Sequence, residues 1–221
     1  RQDRLENFRE KFKAMWKKPA SLDSEDANAA LDKLLGNSKK DIPRSFKLPQ
    51  REPTRPSIDL SPDGVQKPSE AALTARLQQE DVSADDMAAF LVDANREMVV
   101  RYTPVYRQWM HSLLEQDHYP QLFHCTAGKD RTGLAAALLL HALDVPDDTI
   151  MEDYLATNHY TAERIDQVIE QIAQMDMLTA DEAVIRPLFH VQPQFINAAF
   201  EAIDEHYGSL ADYFEHGLKL D

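Results

Sequence analysis

The amino-acid sequence predicts an α/β fold in which a small central sheet is surrounded by many helices. Three observations lead to this prediction. Apolar residues recur with helical spacing through most of the chain after residue 82. Patterns typical of strands are few and short, at residues 57–60 and 119–124. The second strand leads through a short polar loop into the apolar helix predicted at residues 134–143.

The N-terminal part of the chain has a different character from the rest. Residues 27–35 are predicted as a short helix. Between residues 38 and 68, six prolines exclude a long helix, so we expect an extended connector that contains the strand at 57–60. A helix is also predicted at residues 4–18, where the apolar face consists of Leu5, Phe8, Phe12, Met15 and Trp16.

Helices account for most of the predicted structure after residue 82. Ser83 and Asp86 form an N-cap pattern, because serine and an acidic residue three positions later can each bond the other's backbone N–H. Pro104 follows Thr103 at the first position of a helix, where its missing N–H is tolerated. The predicted helices are 87–100, 103–116, 134–143, 147–158, 161–175, 180–189, 194–207 and 209–217.

The overall composition limits the partners and the compartment. A formal net charge of −14 argues against nucleic acid, because phosphate contacts require a surplus of lysine and arginine. No apolar run approaches the roughly 20 residues of a membrane helix, so we expect no stable membrane insertion. Residues 1–18 are charged throughout and contain no apolar signal segment. We therefore expect a cytoplasmic protein, with secretion as the alternative if a signal precedes Arg1.

The sequence from His124 to Gly133, His-Cys-Thr-Ala-Gly-Lys-Asp-Arg-Thr-Gly, predicts a phosphate cradle built around a cysteine. Five residues separate Cys125 from Arg131, and their backbone N–H groups can point into one concavity. The helix that follows adds its unpaired N–H groups and its positive dipole end. Gly128 permits the tight turn, and the planar guanidinium of Arg131 can hold two phosphate oxygens.

The same positive environment favours a thiolate at Cys125. Helix N-termini and nearby cations lower a cysteine pKa from about 8.5 to roughly 3.5–7.5, and the thiolate is the attacking species in covalent phosphoryl transfer. The alternative is a buried structural thiol. Because Cys125 is the sole cysteine, an intramolecular disulfide is excluded, and a redox or metal role lacks a second cysteine.

The motif His-Cys-x5-Arg-Thr-Gly resembles the signature of the protein tyrosine phosphatase superfamily. Its Gly-Lys-Asp version is similar to a bacterial branch that acts on phosphotyrosine, often on phosphoserine or phosphothreonine, and on phosphoinositides. The resemblance continues through residues 138–140, 150–155 and 198–220. It implies a protein tyrosine phosphatase-like α/β fold, with residues 81–221 as the catalytic region. Residues 1–80 would be a shortened or rebuilt N-terminal region of the same domain.

The resemblance also implies a role for each matched residue. Cys125 would form the phosphocysteine, and Arg131 would bind the phosphoryl oxygens. Thr132 would donate its hydroxyl to the cysteine sulfur, and His124 would orient the loop and lower the thiol pKa. Substrate would be bound by the backbone of the loop, at Thr126, Ala127, Gly128, Lys129 and Gly133.

Two loop side chains leave alternatives open. Lys129 is either a second cation for polyanionic head groups, as the resemblance implies, or a solvated lysine at the rim. Asp130 lies beside the bound phosphate, where a carboxylate is unfavourable unless protonated or paired. It is therefore a candidate general acid for the leaving oxygen, or a brace for Arg131. Asp63, in Ser-Pro-Asp-Gly-Val, is a second candidate acid, although a turn explains that segment equally well.

The sequence departs from the family's pattern near its start. Asn7-Phe8-Arg9 continues into Glu10-Lys11 within a helical pattern, without the Gly-Gly that relatives carry. The two predicted helices at 83–100 and 103–116 resemble helices that cover the active site in relatives. Their apolar residues equally suit plain packing in the core.

We therefore predict a phosphatase that hydrolyses phosphate monoesters through a phosphocysteine intermediate, without metal or other cofactor. The expected partners are phosphorylated proteins or phosphoinositides, and the sequence makes no prediction of oligomeric state. Two alternatives remain at this point: a pseudophosphatase that binds phosphorylated ligands without turnover, and an inositol polyphosphate phosphatase.

Overall fold

The computed structural model describes six stretches of the chain, which are residues 6–11, 57–60, 70–77, 81–115, 121–174 and 181–220. The strands are β1 (Ser57–Asp59) and β2 (Leu122–His124). The helices are α1 (Glu70–Leu77), α2 (Ala84–Ser112), α3 (Asp130–Ala142), α4 (Asp147–Gln174), α5 (Glu182–Ile185), α6 (Pro193–Tyr207) and α7 (Leu210–Asp212). A 3-10 turn, Arg186–Leu188, follows α5, and a π turn, Tyr213–Gly217, follows α7.

The α/β fold with a small sheet and many helices is confirmed. β1 and β2 pair in parallel, with Ser57 opposite Leu122 and Asp59 opposite His124. The N–H of Leu60 extends the ladder by donating to the carbonyl of His124 at 2.7 Å. Since β2 ends at His124, this pairing anchors the residue that immediately precedes the cysteine. The strand predicted near residues 57–60 is therefore confirmed, and it supports the site directly.

The two helices predicted at 87–100 and 103–116 are a single helix, so that boundary was wrong. Ser83 caps α2 as expected: its hydroxyl accepts from the N–H of Asp86, whose carboxylate accepts from the N–H of Ser83. Pro104 lies inside α2 and removes one backbone donor. The helix continues nonetheless, because α2 is packed on both sides of the proline. The hydroxyl of Thr103 lies 3.0 Å from that of Tyr213 in the core.

The helices predicted at 147–158 and 161–175 are also one helix, α4. Asn158, which we expected near a helix end, does not bond its own helix through its side chain. Its amide donates to the carbonyl of Val191 at 2.9 Å and accepts from the N–H of Val191 at 2.8 Å. Because these tertiary bonds occupy the side chain, it does not compete with the helical backbone.

The C-terminal boundaries differ in detail. Within the helix predicted at 180–189, the described residues 181–189 form only the four-residue α5 and a 3-10 turn, since Pro187 lacks the N–H that a longer α-helix would need. Residues 209–217 form α7 and the π turn rather than one α-helix. Residues 6–11 are helical, within the helix predicted at 4–18. The helix predicted at 27–35 lies outside the described residues.

One hydrophobic core joins the sheet to the helices. Phe8 and Leu60, both from the N-terminal region, are 1% and 0% exposed and pack in the same cluster as Trp109 and Ile203. Other fully buried large side chains of that cluster are Tyr106, Met110, Leu134, Leu138, Tyr213 and Leu218. Most of the α2 residues predicted to face a core are buried, so this helix belongs to the core. None of the described helices combines the length and apolar content of a membrane span.

Candidate active site

The loop between β2 and α3 has the turn and the following helix that an anion cradle requires. Cys125 follows the last residue of β2, residues 126–129 bend, and α3 begins at Asp130. Gly128 has φ of +67°, a left-handed conformation that glycine adopts without strain. The N–H of Gly133 donates to the carbonyl of Lys129 at 2.7 Å and closes the first turn of α3. The turn expected at Gly128 and the helix expected after the loop are both present.

The thiol of Cys125 is buried, with 7% of its surface exposed, and its pKa results from opposing influences. Burial is the largest single influence and raises the pKa. Hydrogen bonding with the side chain and backbone of Thr132, the charge of Arg131 and the backbone of Lys129 act in the other direction. Together they outweigh burial, so the pKa of Cys125 is lowered. The thiol of Cys125 therefore loses its proton at a lower pH than the thiol of a free cysteine does.

Thr132 and His124 flank the cysteine in different ways. The hydroxyl of Thr132 is buried and has no partner with regular hydrogen-bond geometry in the described part of the chain. This hydroxyl still contributes to lowering the pKa of Cys125, because a thiolate is a better hydrogen-bond acceptor than a thiol. Nδ1 of His124 lies 3.3 Å from the carbonyl oxygen of Cys125. When Nδ1 carries the proton, this bond holds the imidazole against the loop backbone.

Arg131 lies at the first turn of α3 with its guanidinium held on two sides. Nη2 donates to the hydroxyl of Thr126 at 3.3 Å. The guanidinium carbon lies 5.6 Å from the ring centre of Tyr102, a cation–π arrangement. The backbone of Arg131 is also held, because the buried hydroxyl of Tyr106 donates to its carbonyl at 3.4 Å. Two aromatic residues of α2, four positions apart, therefore position this arginine.

Lys129 is buried, with 5% of its surface exposed, which excludes a solvated lysine at the rim. Its ammonium donates to the carbonyls of Leu188 at 3.0 Å and His190 at 3.1 Å. Nζ also lies 3.3 Å from Oδ1 of Asp130 and 5.8 Å from the ring centre of Phe195. An ammonium has three N–H groups, and these oxygens can occupy all of them. A substrate anion would therefore have to displace a present partner.

Asp130 is partly buried beside a second unpaired polar group. The side chain is 23% exposed, and Oδ1 accepts no regularly aligned hydrogen bond from the described residues, although the ammonium of Lys129 is close. The hydroxyl of Tyr154 is buried and likewise lacks a hydrogen-bond partner in the described part of the molecule. Burial, and secondarily the charge of Asp130, raise the pKa of Tyr154 well above its usual range. The carboxylate is thus next to the loop and forms an ion pair with the buried ammonium of Lys129.

The remaining loop residues are exposed or tightly packed. Thr126, Ala127 and Gly128 are exposed, so the backbone between them is open to a ligand. Gly133 instead packs against the ring of Tyr154. A Cβ added there would lie 2.7 Å from Cε2 of that ring. Gly133 therefore allows α4 to approach the first turn of α3.

Two pockets adjoin the loop. The first, of about 200 Å³, is lined by Asp130 and Arg131 together with residues of α2, among them Met98 and Tyr102. The second, of about 230 Å³, lies between the loop, at Thr126 and Ala127, and the middle of α4. A substrate group attached to a phosphate in the cradle could occupy either pocket. The first has a wall made of α2, so this helix contributes to the site as well as to the core.

Several residues of the site were not singled out from the sequence. Tyr102 and Tyr106 are four positions apart on α2, a spacing that places them on one helix face and could have indicated a shared neighbour. Tyr154 lies in the stretch 150–155 that resembles the family, and no local pattern connects it to Asp130. The alternative acid, Asp63, lies outside the described residues.

One group of side chains in the described residues has metal-ligand spacing, away from the loop. The ligand atoms of Asp212, Glu215 and His216 lie within 4.8 Å of one another. The carboxylate of Asp212 accepts from the hydroxyl of Ser209 at 2.6 Å in a helix cap, which explains its position without a metal. These three residues have no connection to the cradle.

Comparison with known proteins identifies the family of the chain. The sequence matches the model of the tyrosine phosphatase family over residues 24–221. It is 38% identical over 135 residues to a protein of Cupriavidus necator named as a tyrosine-protein phosphatase, covering 61% of this chain and 48% of that protein. It is 38% identical over 104 residues to the triple specificity protein phosphatase PtpB of Mycobacterium tuberculosis, covering 42% of this chain and 37% of PtpB. The matched segments therefore span less than half the length of either relative.

Proposed function

The chain belongs to the tyrosine phosphatase family, and we propose that it hydrolyses phosphate monoesters through a phosphocysteine intermediate on Cys125. The single observation that carries this proposal is the position of Cys125 directly after β2, at the start of the loop that leads into α3, with Arg131 in the first turn of that helix. The pKa of the buried thiol is lowered, which agrees with this role. A structural cysteine in an apolar environment would have a raised pKa instead.

The proposed reaction has two displacements at phosphorus. In the first, the Cys125 thiolate attacks the phosphorus, a P–S bond forms, and the P–O bond to the leaving group breaks. A proton passes from Asp130 to the leaving oxygen. In the second, a water oxygen attacks the phosphorus as the P–S bond breaks, and the water proton returns to Asp130. The products are inorganic phosphate, the free alcohol or phenol, and the restored thiolate.

The other loop residues take supporting roles in this proposal. Arg131, held by Thr126 and Tyr102, binds two phosphoryl oxygens through its planar fork. The exposed backbone at Thr126, Ala127 and Gly128 supplies N–H donors to the third phosphoryl oxygen. The hydroxyl of Thr132 stabilises the thiolate as it leaves in the second step. His124 holds the loop backbone through the Cys125 carbonyl.

We propose phosphotyrosine in proteins as the first substrate to test, with phosphoserine, phosphothreonine and phosphoinositides as further classes. The name of the Mycobacterium tuberculosis relative, a triple specificity protein phosphatase, supports a broad range. Both pockets beside the loop have largely apolar walls, which suits an aryl group. We further propose that the N-terminal region and residues 81–221 act as one catalytic domain, because Phe8 and Leu60 pack in its core.

The test is phosphate release from a panel of phosphotyrosyl, phosphoseryl and phosphoinositide substrates, with a chelator present. Cys125→Ser should abolish turnover and leave the fold unchanged by circular dichroism, because a serine hydroxyl stays protonated in the cradle. Arg131→Lys should lose at least about tenfold in kcat/KM, since a point charge does not replace a bidentate fork. Near-wild-type release by Cys125→Ser would contradict the proposal. Binding of phosphorylated ligands without any release by the wild type would indicate a pseudophosphatase.

A further inference from the structure

The pocket between the loop and α4 contains an arginine that forms no ion pair with a carboxylate of the described residues. Arg164 lines this pocket, which we call the α4 groove, together with Thr126 and Ala127 of the loop and Ile165, Val168 and Phe189. The arginine is exposed, and no carboxylate in the described part of the chain forms an ion pair with it. The residues three and four positions away on α4 are Tyr160, Thr161, Gln167 and Val168, and none of them is acidic.

The other cations near the loop are engaged. The ammonium of Lys129 is taken up by two carbonyls and Asp130. Arg101, in the first pocket, forms an ion pair with Glu97 at 3.2 Å. Arg186 forms ion pairs with Asp166 at 3.1 Å and with Glu182. In a chain with a formal charge of −14, an exposed cation that pairs with no carboxylate of the described stretches is a local attractor for an anionic group beside the loop.

The face around Arg164 favours a peptide over a lipid surface. Anionic membranes attract clusters of basic residues, whereas α4 carries Asp147, Asp148, Glu152, Asp153, Glu163, Asp166 and Glu170. The groove itself has an apolar wall made of Ile165, Val168 and Phe189. Tyr160, one helical turn before Arg164, is 84% exposed. An apolar wall with one cation and an exposed aromatic ring suits side chains that flank a phosphorylated residue.

We propose that Arg164 is a specificity-determining residue that binds an acidic side chain next to the phosphotyrosine of a peptide substrate. This inference rests on the proposed phosphatase function and adds a substrate preference to it. With the phosphate in the cradle, the aryl ring lies against the apolar wall and the flanking carboxylate reaches the guanidinium of Arg164. The contact is with a part of the substrate that does not react, so it acts mainly through KM.

The experiment compares kcat/KM for two phosphotyrosyl peptides of equal length that differ only in a glutamate or a glutamine beside the phosphotyrosine. Exposed ion pairs contribute about 0.2–1 kcal/mol, so the wild type should prefer the acidic peptide by up to about fivefold. Arg164→Gln should abolish the preference, and Arg164→Glu should reverse it toward a peptide with lysine at that position. The wild-type preference should also decrease with added salt.

A matched control removes one positive charge far from the groove. Lys11 is exposed and belongs to the helical segment 6–11, where Arg9 bonds the carbonyl of Ala142 at the C-terminal end of α3. That end is about 20 Å from the cradle, from the length of a 13-residue helix. Lys11→Gln should retain the preference for the acidic peptide, because it changes the net charge equally but not the groove.

Hydrolysis of 4-nitrophenyl phosphate by the wild type separates the two proposals. Absence of turnover with this ester and both peptides would overturn the proposed function itself. Turnover with equal kcat/KM for the two peptides would overturn only the role of Arg164. The role of Arg164 would also be overturned if Arg164→Gln kept the preference for the acidic peptide, or if Lys11→Gln lost that preference too. If Arg164→Gln hydrolyses phosphoinositide vesicles more slowly than the wild type while kcat/KM for both peptides is unchanged, Arg164 belongs to a lipid-binding site. That result would contradict the peptide proposal.

Discussion

At the scale of single residues, Cys125 combines burial with the stabilisation of a negative charge. Burial alone would favour the neutral thiol, so the reactivity of this residue depends on its neighbours. Thr132 is the largest of the influences that lower the pKa, ahead of Arg131 and the backbone of Lys129. The hydroxyl of Thr132 therefore favours the thiolate form of Cys125.

We expect alkylation of Cys125 by iodoacetate to rise with pH and to reach its midpoint below the value of about 8.5 for a free cysteine. Thr132→Val should move the midpoint upward, because the hydroxyl that lowers the pKa is lost while the volume is kept. Thr149→Val, at an exposed position on α4, serves as the control and should leave the midpoint unchanged. A wild-type midpoint at or above about 8.5, without protection by phosphate, would show a structural thiol.

The role of Asp130 can be tested through the leaving group. If it donates the proton, Asp130→Asn should reduce turnover of alkyl phosphates far more than that of 4-nitrophenyl phosphate, because a nitrophenolate departs without protonation. General acids typically contribute about 100–10,000-fold, which steady-state rates detect easily. A loss that is equal for both leaving groups would instead assign Asp130 to bracing Arg131. Asp63→Asn would then be examined with the same series of esters.

Lys129 connects the loop to the segment after α5. Lys129→Met should destabilise the protein by about 1–3 kcal/mol, since the carbonyls of Leu188 and His190 and the carboxylate of Asp130 lose a charged donor. Urea unfolding measures this, with the exposed Lys11→Met as control. Unchanged stability together with a selective loss of phosphoinositide hydrolysis would support the alternative, in which Lys129 binds a second substrate anion.

At the scale of elements, the contact between α3 and α4 determines how closely α4, which lines the α4 groove, approaches the loop. Gly133 in the first turn of α3 meets the ring of Tyr154 on α4. The close approach holds the Tyr154 hydroxyl near Asp130. A side chain at position 133 would separate the two helices where the loop enters α3.

Gly133→Ala should therefore lower stability even though alanine is the better helix former by about 1 kcal/mol. Overpacking costs about 1–3 kcal/mol, which exceeds the gain in propensity over most of that range. The check is a double-mutant cycle with Tyr154→Leu, measured by thermal unfolding. In the leucine background the alanine should be neutral or stabilising. An equal loss of stability in both backgrounds would show that the ring of Tyr154 is not the obstacle.

At the scale of the whole molecule, three buried tyrosines connect stability to alkaline pH. Burial is the main cause that raises the pKa of Tyr106, Tyr154 and Tyr213. Below the unfolded pKa of about 10, both states keep these protons and stability does not depend on them. Above it, the unfolded chain releases protons that the folded protein retains. The free energy of unfolding therefore falls as pH rises, by up to about 1.4 kcal/mol per pH unit for each tyrosine.

Tyr154→Phe isolates one of these contributions. Its hydroxyl has no hydrogen-bond partner in the described residues, so removing it should change stability at neutral pH by less than about 1 kcal/mol. Above about pH 10, the variant should lose stability less steeply than the wild type, by about one third if the three tyrosines contribute equally. Urea titrations at several alkaline pH values measure the slope. Identical slopes would mean that the Tyr154 hydroxyl ionises in the folded protein.

Element boundaries were predicted least well where tertiary contacts outweigh local signals. Pro104 and Asn158 are both residues at which an isolated helix tends to start or stop, and both lie inside continuous helices here. The proline is accommodated on the exposed side of α2, whose other side is buried both before and after it. The asparagine is accommodated because its side chain bonds the backbone of Val191. The cap at Ser83 was predicted well, since a capping box involves only residues three positions apart.

The sequence by itself determined the loop that we propose as a phosphate cradle, because its parts lie within ten residues and depend on local backbone geometry. Cys125, the turn at Gly128 and Arg131 at the start of a helix follow from their spacing alone. Only the tertiary structure decided the partners of Lys129, the position of Tyr154 beside Asp130, and the cation in the α4 groove. These contacts join segments separated by tens of residues, and their geometry depends on how helices pack rather than on any local pattern. The pairing of β1 with β2 was likewise decided by the tertiary structure, because no local pattern in the sequence specifies which strand pairs with which.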